Sequence, residues 1–296
     1  MRRMIIYNPR ARATHATRLS QAADAKLAAS GGYELKVPRS PNEATDLAQQ
    51  AAQNDYDQVI AAGGDGTINA VVEGLAGSQV TLGIVPLGTG NAAGSNLNLQ
   101  AGDIAAAMDL IVQGNTRRVD LGRMNGRYFL TMAGIGLDAQ VAHELHDAWK
   151  RRLGKSAFIR QFFRTTFGYQ PRQCQVEITG GEEDLVLDEP LWAMLICNMS
   201  IFTWRVNVAP DASPDDGQLD FIIFRRCGIS QLISIAARNF LFGADVSHSP
   251  YVTIAQGTRM QINAQPPAYW QADGDVGGQT PVTAEVVPSA LDLIVP

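Results

Sequence analysis

The chain has 296 residues, 46% of them hydrophobic and 18% charged, and its formal net charge is −5. This composition excludes a disordered chain, a collagen and a long coiled coil, and the mild acidity argues against a nucleic-acid-binding protein, which usually carries a basic excess. The three cysteines form no CxxC pair, so neither a disulfide scaffold nor a Cys-rich zinc site is expected. No run of about 18 apolar residues occurs, and the sequence therefore predicts a cytoplasmic protein of about two domains.

Short apolar strands and Ala-rich helices alternate along the first 120 residues, with brief connections between them. The predicted elements are strand 4–9, helix 17–30, strand 33–37, helix 41–54, strand 56–62, helix 67–75, strand 81–86 and helix 104–113. Such alternation indicates a parallel sheet covered by helices on both faces. Residues 1–120 are therefore predicted to form an α/β domain.

Strands dominate the second part of the chain, and many of them alternate apolar and polar residues. They are predicted at 127–133, 173–179, 192–198, 218–224, 251–254, 259–264 and 280–286, with helices at 138–167 and 230–242. Period-2 alternation separated by Gly, Pro and Asp predicts an antiparallel β-sandwich domain over residues 121–296. The last residues of the chain could equally return to the first domain.

A glycine-rich loop follows the third predicted strand and precedes a helix, with Gly63, Gly64 and Gly66 around Asp65. Glycines let a backbone approach a ligand closely, and a helix start offers unpaired N–H groups to a phosphate. An aspartate would repel that phosphate unless a cation lay between them, so Asp65 favours Mg²⁺ held with substrate phosphates. A plain turn in which Asp65 and Thr67 cap the helix is the alternative.

A second glycine-rich loop, with Gly88, Thr89, Gly90 and Asn91, follows the fourth strand. Its hydroxyl and amide groups can bind phosphate oxygens. Loops at the carboxyl ends of neighbouring parallel strands face one crevice, so both loops are predicted to line the same site. The pattern GxGxxA at 134–139 fits a dinucleotide-binding turn, but no acidic residue at the end of a following strand supports it.

Six segments, in this order and spacing, resemble the diacylglycerol kinase catalytic family, in particular its bacterial soluble lipid kinase branch; sphingosine and ceramide kinases are also similar. The loop GGDGT alone is shared with NAD kinases and phosphofructokinases, whereas the set of six is far more specific. The segments are YNPRA at 7–11, GGDGTINAVVEGL at 63–75, LGIVPLGTGN at 82–91, GIGLDAQV at 134–141, PDDGQLD at 214–220 and QADGD at 271–275.

The resemblance implies an ATP-binding domain, a β-sandwich lipid-binding domain, and transfer of the γ-phosphoryl group of ATP to a lipid hydroxyl, with Mg²⁺. It implies a nucleotide site formed by Asn8, Ser40, Gly63, Gly64, Asp65, Gly66, Thr67, Ile68, Asn69, Gly88, Thr89, Gly90 and Asn91.

The same resemblance implies catalytic and metal-binding residues outside those loops. Asp273 matches the general base, which would accept the proton of the attacking hydroxyl. Asp65 is the alternative candidate for the general base. Asp216 matches a metal ligand, with the metal site completed by backbone carbonyls at Ser213 and Gln218.

The sequence departs from the family pattern at three places. Ala92 stands where an aspartate usually follows the second loop, which removes one carboxylate of the expected metal network and puts diacylglycerol itself in doubt as the substrate. Asp275 replaces a glutamate. Arg10 and Arg12 stand where small residues are common, and they would either pair with phosphate or be solvated.

The segment 149–164 carries six basic residues, no acidic ones and four aromatics. Such a stretch can lie on anionic lipid, or its aromatics can pack on the sandwich. The expected partners are therefore a lipid substrate, transient contact with the inner face of a membrane and, as an open alternative, a second copy of the chain; no nucleic acid is expected.

The sequence thus predicts an ATP- and Mg²⁺-dependent lipid kinase. An NAD kinase-like phosphotransferase and a non-catalytic nucleotide- or lipid-binding homologue are the alternatives.

Overall fold

The computed structural model describes residues 1–9, 15–28, 31–144, 160–161, 163–203 and 206–296. The chain divides into two units, one formed by Met1–Leu121 with Val287–Pro296 and the other by Gly122–Val286. The C-terminal residues thus belong to the first unit. Arg10, Arg12 and most of the basic and aromatic segment 149–164 lie outside the described residues.

The described strands and helices run in the following order. The strands are β1 (Arg3–Tyr7), β2 (Glu34–Lys36), β3 (Gln58–Gly63), β4 (Thr81–Pro86), β5 (Thr116–Met124), β6 (Arg127–Phe129), β7 (Met132–Gly136), β8 (Arg172–Thr179), β9 (Leu185–Cys197), β10 (Ile201–Thr203), β11 (Val206–Asn207), β12 (Leu219–Arg225), β13 (Val252–Gly257), β14 (Arg259–Gln265), β15 (Tyr269–Ala272), β16 (Asp275–Gln279) and β17 (Val282–Ile294). The helices are α1 (His15–Leu27), α2 (Pro41–Gln53), α3 (Asp65–Leu75), α4 (Ala92–Asn96), α5 (Ile104–Gln113), α6 (Leu137–Glu144), α7 (helical residues 160–161 and 163–168) and α8 (Ile229–Phe242).

The first unit is built on a parallel sheet with the strand order β2-β1-β3-β4-β17. Strands β1 and β3 are buried along their whole length, as expected for apolar strands with helices on both sides. Strand β2 lies on one side of β1, and the next strand along the chain, β3, lies on its other side. The strand order therefore reverses between β1 and β3, and open α/β sheets bind ligands beyond the carboxyl ends of the strands at such a point.

Helices pack in pairs against this sheet, α1 with α5 and α2 with α3. The second pair approaches closely at Gly74, where a Cβ would lie 2.5 Å from the carbonyl oxygen of Thr45 and 2.6 Å from the Cβ of Ala48. The Thr45 hydroxyl also donates to the carbonyl of Ala70 (2.9 Å). Small residues at this crossing therefore fix the position of α3, whose first turn contains the end of the glycine-rich loop.

The second unit consists of antiparallel strands that share the long strand β9. The first part of β9 pairs with β8, and its last five residues pair with β7 on one side and β12 on the other. One sheet thereby follows the order β16-β15-β7-β9-β12-β13, and the other continues from β9 through β8 and β14 to β17. Alternate residues face the core, as in β14, where Met260, Ile262 and Ala264 are buried between exposed neighbours.

The predicted fold class, a parallel α/β domain followed by an antiparallel β-sandwich, is confirmed. The predicted strand 127–133 is wrong in detail, because a turn at Leu130 and Thr131 divides it into β6 and β7. The sequence does not predict the hairpin β15–β16, since both strands are short and β16 contains two glycines. The GxGxxA segment is no dinucleotide-binding turn, because β7 pairs with antiparallel strands on both sides.

Candidate active site

The two glycine-rich loops of the first unit touch through their backbones. A Cβ on Gly88 would lie only 2.5 Å from the Cα of Gly64, and the Leu87 N–H donates to the carbonyl of Gly63 (2.7 Å). A side chain at Gly88 would therefore force the loops apart, whereas a Cβ on Gly64 would make a tight contact of 3.2 Å with the Cα of Gly88. This contact brings the two loops together, and their role as the two walls of one binding crevice stays a prediction.

Asp65 joins the loops through its side chain. One carboxylate oxygen accepts the N–H of Asn91 and the other that of Ala92, each at 2.8 Å. These two amides stand at the N-terminus of α4, where backbone donors lack partners within the helix. The carboxylate therefore holds α4 against the first turn of α3.

Asn91 stabilises the second loop through hydrogen bonds within that loop. It is buried and has a left-handed backbone (φ 51°), a conformation that asparagine tolerates better than most residues. Its side-chain oxygen accepts the N–H of Gly88 (2.9 Å), and its amide nitrogen donates to the carbonyl of the same residue (2.7 Å). Asn91 thus shapes the second loop rather than presenting its amide to solvent.

Asn8 links the end of β1 to the start of α3. Its backbone N–H donates to the carbonyl of Ala62 (3.0 Å), and its side-chain amide donates to the hydroxyl of Thr67 (3.1 Å). Thr67 packs over Gly63, where a Cβ would lie 2.6 Å from the threonine Cβ. The carboxyl ends of β1 and β3 are therefore connected at the point where the strand order reverses.

Gly66 differs from the other glycines of these loops. It lies exposed at the second position of α3, and a Cβ built there would meet no described atom within 4 Å. A glycine in a helix lowers stability by about 0.5–1 kcal/mol relative to alanine, and the described residues around Gly66 give no steric reason for that cost. The N–H at this position has no acceptor within a helix, so a small anion can approach it closely.

The remaining predicted nucleotide residues of the first unit lie around this loop pair or serve the local fold. The side chain of Ile68 is fully buried in the core, and its N–H donates to the carbonyl of Gly64 (3.1 Å). Ser40 caps α2 by accepting the N–H of Glu43 (3.2 Å). Thr89 is exposed, whereas Asn69 and Gly90 are half-buried.

Asp273, the predicted base, lies in the second unit at the tip of the β15–β16 hairpin. Asp273 and Gly274 form a two-residue turn with positive φ at both positions (46° and 87°), the geometry that Asp-Gly favours in hairpins. The carboxylate accepts the backbone N–H groups of Leu130 (2.7 Å), Thr131 (3.0 Å) and Met132 (2.9 Å), and also the Thr131 hydroxyl. Asp273 is therefore held rigidly against the β6–β7 turn.

Burial raises the pKa of Asp273 to about 6, although the hydrogen bonds from Thr131, Met132 and Leu130 oppose this rise. A carboxylate with a pKa near 6 is largely ionised at pH 7 and is closer to the working range of a general base than an exposed aspartate.

Sequence analysis missed a neighbouring polar network around Asp138, at the start of α6. Its carboxylate accepts the side-chain amide of Gln271 (2.9 Å), whose oxygen accepts the N–H of Gly274 (2.6 Å). Burial raises the pKa of Asp138 to about 6, and a Cβ on Gly134 would collide with its carboxylate at 2.0 Å. Asp138 and Gly134 both belong to the GIGLDAQV segment, but their relation to the hairpin residues becomes visible only in the fold.

The predicted metal segment forms an exposed turn before β12. One carboxylate oxygen of Asp216 accepts the N–H of Gln218 (2.9 Å), and the Ser213 hydroxyl donates to Asp215 (2.7 Å). Burial raises the pKa of nearby Asp220 to about 6, and the charges of Asp216 and Asp211 add to that rise. Within the described ranges, no group of three His, Cys, Asp or Glu side chains is placed to hold a metal ion.

Comparison with known proteins identifies the family. The Diacylglycerol kinase catalytic domain matches residues 2–124, and the YegS C-terminal NAD kinase beta sandwich-like domain matches residues 131–295. A diacylglycerol kinase of Bacillus subtilis (strain 168) is 30% identical over 254 residues, which cover 84% of this chain and 82% of the relative. The chain belongs to the bacterial diacylglycerol kinase family. A diacylglycerol kinase of Staphylococcus epidermidis is 32% identical over 287 residues, covering 95% of this chain and 87% of the relative.

Solved structures agree on the fold of this diacylglycerol kinase family member. A crystal structure of a diacylglycerol kinase from Bacillus anthracis str. Sterne aligns with a TM-score of 0.75 and 21% identity, covering 100% of this chain and 97% of that one. Another crystal structure from the same organism aligns with a TM-score of 0.82 and 24% identity, covering 100% and 95%.

Family membership makes the protein a kinase of the lipid kinase class and implies ATP as the phosphoryl donor. None of the helices in the described part of the chain has the length and apolar character that crossing a bilayer requires.

Proposed function

We propose that this diacylglycerol kinase family member transfers the γ-phosphoryl group of Mg²⁺-bound ATP to the hydroxyl of a diacylglycerol-like lipid. The observation that carries the proposal is the exposed Gly66, which lies in the first turn of α3 at the end of the first glycine-rich loop; that loop touches the second at Gly64 and Gly88. The kinase names of relatives at 30% and 32% identity support the lipid acceptor.

The α3 N-terminus is proposed to receive the ATP phosphates. The helix start carries a partial positive charge and unpaired amides, both of which favour a phosphate. Asp65 fixes the relative position of the loops through its bonds to Asn91 and Ala92, so the amides are in place before the nucleotide arrives. Such preorganisation reduces the cost of ordering the loops on binding.

Mg²⁺ fits the donor chemistry of the 213–218 turn, where Asp216 is exposed and the predicted ligands are all oxygens. Mg²⁺ binds through one or two carboxylates, with waters and substrate phosphates filling its other positions. A turn that offers fewer than three acidic ligands can therefore still bind Mg²⁺. The carboxylates of Asp211 and Asp216 add to the rise in the pKa of Asp220 that burial causes, and their negative charge favours a cation at this turn. When bound, the ion would neutralise phosphate charge.

Asp273 is proposed as the base and Asp65 as a positioning residue. As the lipid oxygen bonds to the γ-phosphorus, the bond from that phosphorus to the β,γ-bridging oxygen breaks, ADP leaves, and the hydroxyl proton passes to a carboxylate. Both carboxylates already accept backbone N–H groups, Asp65 from the α4 N-terminus and Asp273 from the β6–β7 turn. Hydrogen bonding therefore does not separate the two candidates, and the choice of Asp273 follows the QADGD match and its raised pKa. The pKa of Asp273, about 6, leaves it ready to accept a proton at neutral pH.

The test of the function is phosphoryl transfer from γ-labelled ATP in mixed micelles. The micelles would carry diacylglycerol, monoacylglycerol, sphingosine, ceramide or phosphatidylglycerol in turn, with NAD as a lipid-free acceptor. Label in diacylglycerol or monoacylglycerol that depends on Mg²⁺ is the expected result. Label in NAD alone would overturn the lipid acceptor, and undiminished transfer in EDTA would overturn the Mg²⁺ requirement.

The choice of base is tested separately by the pH dependence of kcat/KM. The wild type should lose activity as the pH falls through about 6, because protonated Asp273 cannot accept a proton. Asp273→Asn should lower kcat by at least ~100-fold, within the range of general-base contributions. If Asp65→Asn instead removes the acidic limb while Asp273→Asn retains it, the roles are reversed.

Membrane contact is proposed through α7. Phe163 and Phe167 are one helical turn apart, and they are 40% and 66% exposed, so their rings can enter the interface of a bilayer. Arg164 lies exposed between them. Phe167→Ser should reduce sedimentation with phosphatidylglycerol vesicles, whereas Val186→Ser, which removes another exposed apolar side chain, should not; equal binding by both variants would refute the contact.

A further inference from the structure

A chain of hydrogen bonds leads from Asp138, at the start of α6, to Gly274 in the hairpin turn. The side-chain amide of Gln271 links them: its nitrogen donates to the Asp138 carboxylate (2.9 Å), and its oxygen accepts the Gly274 N–H (2.6 Å). Gln271 is only 3% exposed. The chain therefore runs through the interior of the second unit and reaches the residue that follows the proposed base, Asp273.

Both peptide groups next to Asp273 are held by hydrogen bonds. The N–H of Asp273 belongs to the peptide group before this residue, and it donates to the carbonyl of Met132 (2.8 Å). The N–H of Gly274 belongs to the peptide group after it, and Gln271 is its acceptor. Gly274 has a φ of 87°, and glycine has more backbone freedom than any other residue. The bond to Gln271 thus restrains the side of Asp273 that would otherwise move most easily.

The two ends of the chain fix the orientation of the Gln271 amide. A backbone N–H such as that of Gly274 can only donate, and an ionised carboxylate such as that of Asp138 can only accept. The amide oxygen must therefore face Gly274, and the amide nitrogen must face Asp138. A flipped amide would set donor against donor at one end and acceptor against acceptor at the other.

The packing around Asp138 and Gln271 leaves them little room to move. A Cβ on Gly134 would lie 2.0 Å from the Asp138 carboxylate and 2.9 Å from the Gln271 amide nitrogen. The two side chains thus fill the space that a side chain at position 134 would need. Helix α6 also contacts β15 through His143, whose ring stacks on Tyr269 with 4.0 Å between ring centres. Tyr269 and Gln271 are two residues apart in a strand, so both face α6.

An ionisable residue at position 138 lowers stability at neutral pH. Burial raises the pKa of Asp138 to about 6, so the ionised form is less favourable in the folded chain than in the unfolded chain. An asparagine could accept a hydrogen bond here without that cost, but its amide could also turn and present a donor. A carboxylate offers only acceptors, and Asp138 therefore keeps Gln271 in the single orientation that serves Gly274.

We propose that Asp138 and Gln271 are positioning residues that orient Asp273 toward the lipid hydroxyl. This role rests on the proposed function of Asp273 as the general base. With both neighbouring peptide groups held, the carboxylate is in place before the substrate binds. A displacement of about 1 Å at a reacting group can lower the rate ~100-fold, so loss of the chain should reduce kcat.

The test measures the labelled phosphate transferred to the lipid that the wild type phosphorylates. Gln271→Met removes both hydrogen bonds of the amide, and Asp138→Ala removes the acceptor that orients it; each should lower kcat at least ~10-fold. The KM for ATP should not change, because the predicted nucleotide residues lie in the first unit. Gln279→Met, at an exposed position of the same hairpin, is the matched control and should keep the wild-type kcat.

A double variant separates positioning from a loss of folding. In Asp138→Asn/Gln271→Glu the new amide can donate to the new carboxylate, which can still accept the Gly274 N–H. The chain is thereby rebuilt with donor and acceptor exchanged at the Asp138 end, and most of the lost kcat should return. A double variant that folds but remains as slow as Gln271→Met would contradict the proposal.

The role of Asp273 in this effect is tested by combining variants. Gln271→Met should have no further effect in an Asp273→Asn background, because residues that act as one unit are not additive. An equal loss in both backgrounds, or a wild-type kcat in Gln271→Met and Asp138→Ala, would overturn the positioning role and leave the kinase function standing. A wild type that phosphorylates no lipid would overturn the proposed function, and the positioning role with it.

Discussion

Alanine at Gly66 and alanine at Gly88 should change stability in opposite directions, although the two glycines lie in adjoining loops. A Cβ at Gly66 meets no described atom within 4 Å, whereas a Cβ at Gly88 lies 2.5 Å from the Cα of Gly64 and 3.0 Å from the side-chain oxygen of Asn91. Gly66→Ala should therefore stabilise α3 by up to about 1 kcal/mol. Gly88→Ala should destabilise by about 1–3 kcal/mol, because the loops must separate.

Thermal unfolding measures both changes, with about 2–4 °C expected per kcal/mol for a unit of this size. Calorimetric titration with a non-hydrolysable ATP analogue and Mg²⁺ then measures nucleotide affinity. Gly66→Ala should raise the Kd by at least tenfold, because its methyl group occupies the space proposed for a phosphate. Gln50→Ala, at an exposed position of α2, should leave the Kd unchanged.

Each result refutes a different part of the reasoning. A lower melting temperature for Gly66→Ala would mean that the position is not open in solution. An unchanged Kd in a stable Gly66→Ala variant would place the nucleotide away from the first turn of α3. A Gly88→Ala variant as stable as the wild type would show that the loop contact contributes little.

Three further changes test other parts of the fold and site. Gly74→Ala should lower the unfolding free energy by about 1–3 kcal/mol in thermal or urea unfolding, because its Cβ would lie 2.5 Å from the Thr45 carbonyl oxygen; a stability equal to the wild type would refute the close α2–α3 crossing. Asp65→Asn should cost about 1–3 kcal/mol in the same assay, since an asparagine side chain can accept only one of the two amide bonds, and a neutral result would contradict the tie between the loops. Burial raises the pKa of Asp138 to about 6, so the folded state binds this proton more tightly than the unfolded state does. The proton therefore stabilises the folded state by about 3 kcal/mol. This stabilisation is fully present below about pH 4 and is lost as the pH rises through 6. Asp138→Asn should therefore reduce the slope of urea-derived stability between pH 4 and 7, with Asp220 and Asp273 supplying the remainder. An undiminished slope would show that Asp138 does not contribute.

Much of the first unit follows from local sequence signals. Continuous apolar strands require a sheet covered on both faces, and β4 and α5 occupy the predicted ranges 81–86 and 104–113. The glycine-rich segments are also recognisable from sequence, because several glycines between a strand and a helix indicate a tight turn or a close approach of the backbone to another group. The assignment of domains and site residues from sequence stays a prediction that the experiments above address.

The sequence by itself determined the alternation of strands and helices, the antiparallel character of the second unit and the family resemblance, because each depends on periodicity or on residues close in the chain. Only the tertiary structure decided what individual polar side chains do. Asp65 meets Asn91 and Ala92 from 26 and 27 residues away, and Asp273 meets the β6–β7 turn from more than 140 residues away. The raised pKa of Asp138 has the same origin, since burial and the loss of water are set by neighbours that no local pattern encodes.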